Sequence, residues 1–221
     1  MIPLNKYIDH TLLKPTASQL DIKQLCKEAK QYNFFSVCIN SCFVEFAKTQ
    51  LQDSDVKVCT VVGFPLGAME SNAKAFEAQT AIENGADEID MVINIGYLKS
   101  KLYKSVFNDI EKVKKATGNK VLKVILETCD LTKEEIIKAC ELCVDAKADF
   151  VKTSTGFSKS GASLDDVKIM KETVKGNAKI KASGGIRNYE TAKQFVDLGV
   201  QRLGVSAGIA IMNGETATSD Y

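Results

Sequence analysis

The chain has 221 residues, of which 45% are hydrophobic and 26% charged, and its 29 Lys and Arg residues nearly balance its 28 Asp and Glu residues. A net charge near zero, without a block of five like charges, argues against nucleic-acid and membrane partners and favours a small molecule. We expect residues 1–221 to form one domain, with a mobile polar tail from about residue 214.

The ends and the cysteines predict a cytoplasmic protein. The segment Met1–Tyr7 lacks the apolar core of a signal peptide, and no stretch approaches eighteen uncharged apolar residues. The seven cysteines are odd in number and scattered through the expected strands and helices. Such a distribution suits a reducing compartment better than a disulfide framework.

Short β-branched runs alternate with amphipathic helical stretches along the whole chain. The eight expected strands are Tyr7–Leu12, Ser36–Ile39, Lys57–Val62, Glu88–Ile93, Val121–Leu126, Phe150–Thr153, Lys179–Ala182 and Gln201–Gly204. Eight strands separated by helices predict an α/β fold, a single (β/α)8 TIM barrel. An open doubly wound sheet is the alternative.

Helix boundaries are expected at pairs of capping residues. The helix starts are Thr16 with Gln19, Thr132 with Glu135, and Ser163 with Asp166. The pair Asn84-Gly85 is typical of a helix C-terminus.

Two lysines each end a short apolar strand and precede small hydroxylated residues and glycine. They are Lys152, in FVKTSTG, and Lys181, in KIKASGGIR. Active sites of such barrels lie at the carboxyl ends of the strands. An ordinary lysine is neutral in only about one molecule in 2,500 at pH 7. Desolvation and a second nearby cation both favour the neutral, nucleophilic amine, so two adjacent lysines indicate amine chemistry.

A short internal repeat, ADEID and ADFVK, places Asp90 and Lys152 at the same depth in the fourth and sixth strands. The same register places Cys38 of the second strand and Gly204 of the eighth strand at this depth. Because alternate strands fill one interior layer, we expect Asp90, Lys152 and Cys38 to share a layer and Lys181 to lie in the adjoining one.

Further charges end other strands of the expected barrel. Asp9 and Glu127 lie at strand ends, and Lys123 precedes Glu127 on the same strand face. Buried charges need partners, and a cluster of Lys and Asp supplies them. A purely structural network of ion pairs remains the alternative to a catalytic cluster.

Small-residue turns follow the last two strands. Gly184 and Gly185 follow the seventh strand, and Gly204 and Ser206 end the eighth. Barrels frequently bind phosphate in these two loops, where backbone N–H groups converge on the anion. The sequence therefore predicts a phosphate site beside the lysines.

Other candidate sites have weaker support. Cys140 and Cys143 lie on one helix face without companion ligands, so a buried helix stripe accounts for them better than zinc. His10, the single histidine of the chain, is expected to hold a loop. No strand is followed by G-x-G-x-x-G, so no dinucleotide cofactor is indicated.

Six motifs in order along the chain resemble deoxyribose-phosphate aldolases. They are Ile8–Leu13, Gly63–Gly67, Gly85–Asp90, Leu122–Thr128, Phe150–Gly156 and Lys181–Arg187. The resemblance implies a class I aldolase without metal or other cofactor, which interconverts 2-deoxy-D-ribose 5-phosphate with D-glyceraldehyde 3-phosphate and acetaldehyde. It casts Lys152 as the Schiff-base lysine, Lys181 as the neighbouring cation and Asp90 as the proton donor and acceptor.

The resemblance also implies a set of residues around the substrate. They are Asp9, Thr11, Cys38, Thr153, Gly156, Gly184, Gly185, Gly204, Ser206 and the C-terminal Tyr221. Phe157 and Ala207 depart from the family, since some members carry a phosphate-holding lysine and many carry a serine at these places.

Three questions stay open on the sequence. A different class I aldolase or a sugar-phosphate isomerase is one alternative activity. A catalytically silent sugar-phosphate-binding protein is another. A homo-oligomer, dimer or tetramer, is compatible with the sequence, since the outer helices of a barrel are either solvated or paired.

Overall fold

The computed structural model describes residues 2–218, in which eight parallel strands close into a barrel in sequence order. The strands are β1 Ile8–Leu12, β2 Ser36–Ile39, β3 Lys57–Val62, β4 Glu88–Val92, β5 Val121–Ile125, β6 Phe150–Lys152, β7 Lys179–Ser183 and β8 Arg202–Val205. Pairing of β8 with β1, through Asp9 opposite Gly204, closes the ring. The barrel prediction is confirmed, each strand end lies within one residue of its predicted place, and the open-sheet alternative is wrong.

Helices cover the outside of the barrel. They are α1 Gln19–Gln31, α2 Val44–Gln50, α3 Ser71–Glu83, α4 Ile95–Lys99, α5 Tyr103–Thr117, α6 Lys133–Asp145, α7 Leu164–Val174, α8 Tyr189–Asp197 and α9 Gly208–Asn213. Three short 3-10 helices span Leu4–Tyr7, Ser41–Phe43 and Thr128–Asp130. No helix within residues 2–218 combines the length and apolarity that crossing a membrane requires.

The predicted helix boundaries hold with one exception. Thr132 and Glu135 form a capping box at α6, Ser163 caps α7, and Asn84 ends α3. At α1, however, the capping box is formed by Ser18 and Asp21 rather than by Thr16 and Gln19. The carboxylate of Asp21 accepts the Ser18 amide at 2.8 Å, and a charged acceptor at a helix N-terminus is stronger than the amide of a glutamine.

Every residue of β4 is buried, but its two faces differ in chemistry. Ile89 and Met91 belong to the apolar core between the strands and the helices. Glu88 and Asp90, which alternate with them, are buried as charged side chains. Since successive strand residues point to opposite faces, the carboxylates face the barrel interior. The interior at this level is therefore charged.

A buried ion pair fixes the loop that follows β3. Lys74 of α3 has no exposed surface and donates to Asp109 of α5 at 2.7 Å. It also donates to the carbonyls of Gly67 and Val92, each at 3.0 Å. The loop is thus attached to the end of β4 through one ammonium group.

Replacement of Asp109 by alanine is expected to lower the free energy of unfolding by about 3–5 kcal/mol, because it leaves the Lys74 ammonium buried without a counter-charge. Urea denaturation measures the change. The matched control is Asp165→Ala, which removes the exposed pair with Lys168 and should barely move the midpoint. A loss below about 1 kcal/mol for Asp109→Ala would show that the Lys74 pair does not stabilise the loop.

Candidate active site

The two lysines of β6 and β7 converge on one carboxylate. The Nζ atoms of Lys152 and Lys181 each lie 2.8 Å from Oδ2 of Asp90. Lys181 also lies 2.5 Å from Oδ2 of Asp9. All four side chains are at least 97% buried. The structure thus brings together the three residues that the sequence selects as catalytic.

The charged cluster continues towards the amino ends of the strands. Lys123 contacts Oδ1 of Asp90 at 2.8 Å and Glu88 at 2.6 Å. Arg202 bridges Asp9, at 2.6 Å, and Glu88. Glu88 and Arg202 were not predicted as site residues, although each lies two residues before one and therefore on the same strand face.

Neighbouring charges fix the protonation of most of this cluster. Burial alone would raise the pKa of Asp90, but the ammonium groups of Lys123, Lys152 and Lys181 hold that pKa well below its usual value. The pKa of Asp9 is likewise lowered, by Arg202 and Lys181 acting against burial. Burial would lower the pKa of Lys181, but Asp9 and Asp90 raise it. At neutral pH, Lys181 is therefore a cation between two carboxylates.

Lys152 differs from the other cations of the network in two respects. It contacts one carboxylate, that of Asp90, whereas each of the other three cations contacts two. Lys152 also lines a cavity of about 220 Å³, which Lys181 does not line. Within residues 2–218, the network holds four cationic side chains and three carboxylates. Loss of one proton makes it electrically neutral, and Lys152 is the cation of the network that lines the cavity.

The predicted phosphate turns line the same cavity. Gly184, Gly185, Gly204 and Ser206 all line it. Gly184 and Gly185 have φ values of 83° and 74°, which favour glycine. Lys159, which was not predicted as a site residue, also lines the cavity and pairs with Asp130 at 2.8 Å.

The remaining predicted substrate residues occupy different places. Thr11 and Gly156 line the cavity. Thr153 does not line it; its hydroxyl donates to the Ser183 carbonyl at 3.2 Å and accepts from the Ser183 amide at 3.1 Å. Cys38 is fully buried beside Cys59 and does not line the cavity. Tyr221 lies outside the described residues.

Within residues 2–218, Glu127 makes no ion pair with the lysine cluster, and it supports the turn beside the cavity. Its φ of 57° is unusual for a residue with a side chain. Its carboxylate accepts from the amide of Thr155, at 3.2 Å, and from the Thr155 hydroxyl. Burial raises the pKa of Glu127. The bonds to Thr155 hold the turn that carries Gly156.

Aromatic contacts cover the same turn from the outside. Phe157, next along the chain, packs edge-on against Phe64 of the β3–α3 loop, with the ring centroids 5.3 Å apart. The residue that departs from the family pattern therefore makes an apolar contact at the rim of the cavity.

The weaker candidates of the sequence lie elsewhere. Cys140 and Cys143 are buried on α6, and burial raises the pKa of Cys140 to about 12. His10 contacts Glu28 of α1 through Nε2 at 2.8 Å and does not line the cavity. These residues stabilise the helix layer.

The model of the DeoC/LacD family of aldolases matches residues 4–213. The chain belongs to this family. A deoxyribose-phosphate aldolase from Finegoldia magna is 60% identical, and the match covers 96% of this chain and 99% of that one. The corresponding enzyme from Lactococcus lactis subsp. cremoris is 58% identical, with 99% of each chain covered.

Solved structures of the family have the same fold. An aldolase designated QR15 is 42% identical, with 96% of each chain covered and a TM-score of 0.92. A deoxyribose phosphate aldolase from Aeropyrum pernix, described as a tetramer, is 32% identical, with a TM-score of 0.88 over 95% of this chain and 89% of that one.

Proposed function

We propose that this chain is a class I deoxyribose-phosphate aldolase, which reversibly cleaves 2-deoxy-D-ribose 5-phosphate to D-glyceraldehyde 3-phosphate and acetaldehyde. One observation carries the proposal: a single cavity is lined both by Lys152, whose amine contacts Asp90, and by the glycine turns of β7 and β8. The names of the relatives agree with it.

The reaction begins with attack of the neutral Lys152 amine on the sugar aldehyde. Loss of water from the adduct gives an iminium ion, which is an electron sink. Removal of the proton from the C3 hydroxyl then drives cleavage of the C2–C3 bond. The electron pair of that bond forms an enamine of acetaldehyde, and glyceraldehyde 3-phosphate leaves. Protonation of the enamine and hydrolysis of the iminium release acetaldehyde and regenerate the amine.

Asp90 is the acceptor and donor of these protons, directly or through water. When the Lys152 ammonium becomes the iminium nitrogen, its N–H groups fall from three to one, while the Lys181 ammonium lies 2.8 Å from Oδ2 of Asp90. Lys181 therefore keeps a positive charge beside the reacting lysine throughout the cycle.

The phosphate group binds at the opposite end of the cavity from the reacting aldehyde. The backbone N–H groups of Gly184, Gly185 and Gly204, together with Ser206, contact it. Binding energy from this remote group orients the aldehyde against Lys152. Lys159, which also lines the cavity, adds a positive charge that attracts the phosphate.

The proposal includes a cytoplasmic location, an absence of cofactors and self-association. All seven cysteines are free thiols, which suits a reducing compartment. The iminium supplies the electron sink without a metal or dinucleotide. Leu66, Met69 and Phe76 expose between 41% and 76% of their surface, and such side chains favour a dimer or tetramer.

The direct test is an assay with 2-deoxyribose 5-phosphate in buffer containing EDTA. We expect formation of acetaldehyde and glyceraldehyde 3-phosphate at an undiminished rate. A chain that binds the sugar phosphate without cleaving it would be a silent binding protein. Activity that EDTA abolishes would refute the metal-free mechanism.

A further inference from the structure

Two thiols lie side by side next to the catalytic aspartate. Cys38 of β2 and Cys59 of β3 are register partners on adjacent strands, and neither has exposed surface. Sγ of Cys59 lies 3.1 Å from Oδ1 of Asp90 and 3.4 Å from Nζ of Lys123. The mechanism above uses neither thiol.

The positions of these groups match the requirements of a metal site. One ligand atom each from Cys38, Cys59 and Asp90 lie within 4.8 Å of one another, and no other group of three such ligands occurs within residues 2–218. A tetrahedral zinc ion, with Zn–S bonds of about 2.3 Å and a Zn–O bond of about 2.1 Å, places its sulfurs about 3.8 Å apart and each sulfur about 3.6 Å from the oxygen. Small side-chain rotations reach these separations.

The surrounding ammonium groups do not exclude a cation. A divalent ion that replaces the two thiol protons leaves the net charge of the buried cluster unchanged. Binding of the ion to Oδ1 of Asp90 would replace the contact of that atom with Lys123. Lys123 would keep its contact with Glu88, which is 2.6 Å long.

We propose that Cys38, Cys59 and Oδ1 of Asp90 form a binding site for a soft divalent cation of the zinc and cadmium class, and that the bound cation inhibits the enzyme. Thiolates select such ions over magnesium or calcium. The cation draws electron density from the Asp90 carboxylate, which then accepts the substrate proton less readily. The inhibition, though not the binding, rests on the proposed aldolase function.

Titration of the reduced, EDTA-treated and desalted full-length protein with cadmium tests the binding. We expect the ultraviolet absorption of cadmium–thiolate bonds to rise to an end point at one ion per chain, with release of protons into the buffer. Zinc should compete for the site and abolish the absorption. An absence of absorption at stoichiometric cadmium would overturn the proposal.

Variants locate the site. Cys59→Ser, which keeps a hydrogen-bond donor to Asp90, and Cys38→Ala should each lose the absorption, and circular dichroism checks that they fold. The matched control is the double variant Cys140→Ser/Cys143→Ser, which removes the thiol pair of α6 and should keep it. Absorption that persists in either site variant, or disappears in the control, places the ion elsewhere and refutes the assignment.

An activity assay tests the inhibition separately. Stoichiometric zinc should slow sugar cleavage at least tenfold, and EDTA should restore the original rate. Full activity with the cadmium site saturated refutes inhibition. If the protein shows the thiolate absorption but never cleaves the sugar, the cation site stands and the proposed aldolase function fails.

Discussion

Replacement of Lys152 by alanine is expected to abolish the covalent adduct that borohydride traps with acetaldehyde, and to lower aldol cleavage by about 10⁴-fold or more. Neither of the other two lysines of the cluster lines the cavity. Lys181 has no exposed surface and is held as a cation by Asp9 and Asp90. Mass spectrometry of the reduced protein detects the adduct, and peptide mapping assigns it.

The matched control is Lys159→Ala, which removes another lysine from the wall of the same cavity. Lys159 is exposed and pairs with Asp130, so this variant should keep the acetaldehyde adduct and lose affinity for the phosphorylated sugar. An adduct on Lys181 in the unaltered protein, with Lys152 unmodified, would reverse the roles of the two lysines.

The sequence predicts the barrel well because each strand is a short β-branched run that is clearly separated from the next one. Runs such as Lys57–Val62 and Val121–Ile125 are rich in β-branched residues and flanked by helical patterns. Strands buried on both faces must be covered by helices on one side and by one another inside the barrel. Eight such units leave little topological freedom, so both the closure and the strand ends were predictable.

The level of each charged side chain along the barrel axis was less predictable. The repeat that pairs Asp90 with Lys152 gives their level but not the second ring below, where Arg202 joins Asp9 and Glu88. That contact depends on the stagger between β8, β1 and β4, which only closure of the barrel sets. Cys59 was missed for the same reason, since its neighbour Asp90 lies on a different strand.

Glu127 shows a local limit of sequence patterns. Alternation along β5 assigns its side chain to the same face as Lys123. The strand ends at Ile125, and the positive φ of Glu127 turns its carboxylate to Thr155 instead. Periodicity holds only while the backbone stays extended, and a non-glycine residue with positive φ has no sequence signal of its own.

Replacement of Lys181 by leucine is expected to slow adduct formation by about 10²- to 10³-fold at pH 7 and to make its rate rise about tenfold per pH unit above that. The reason is the charge of the network. With Lys181 removed, three cations face three carboxylates, so loss of a proton would leave the buried network with a net negative charge, and Lys152 is the remaining lysine partner of Oδ2 of Asp90. The rate of borohydride trapping with acetaldehyde, measured from about pH 7 to about pH 10, gives the profile.

Lys179→Leu is the matched control for this variant, since it makes the same substitution on the same strand. Lys179 is exposed at the start of β7 and lies over the ring of Phe150, outside the network around Asp90, so its removal should leave the pH profile unchanged. If trapping in Lys181→Leu stays slow at high pH, then Lys181 does not act by keeping Lys152 neutral. Its contacts with Asp9 and Asp90 would then assign it to proton transfer, a step that raising the pH does not replace.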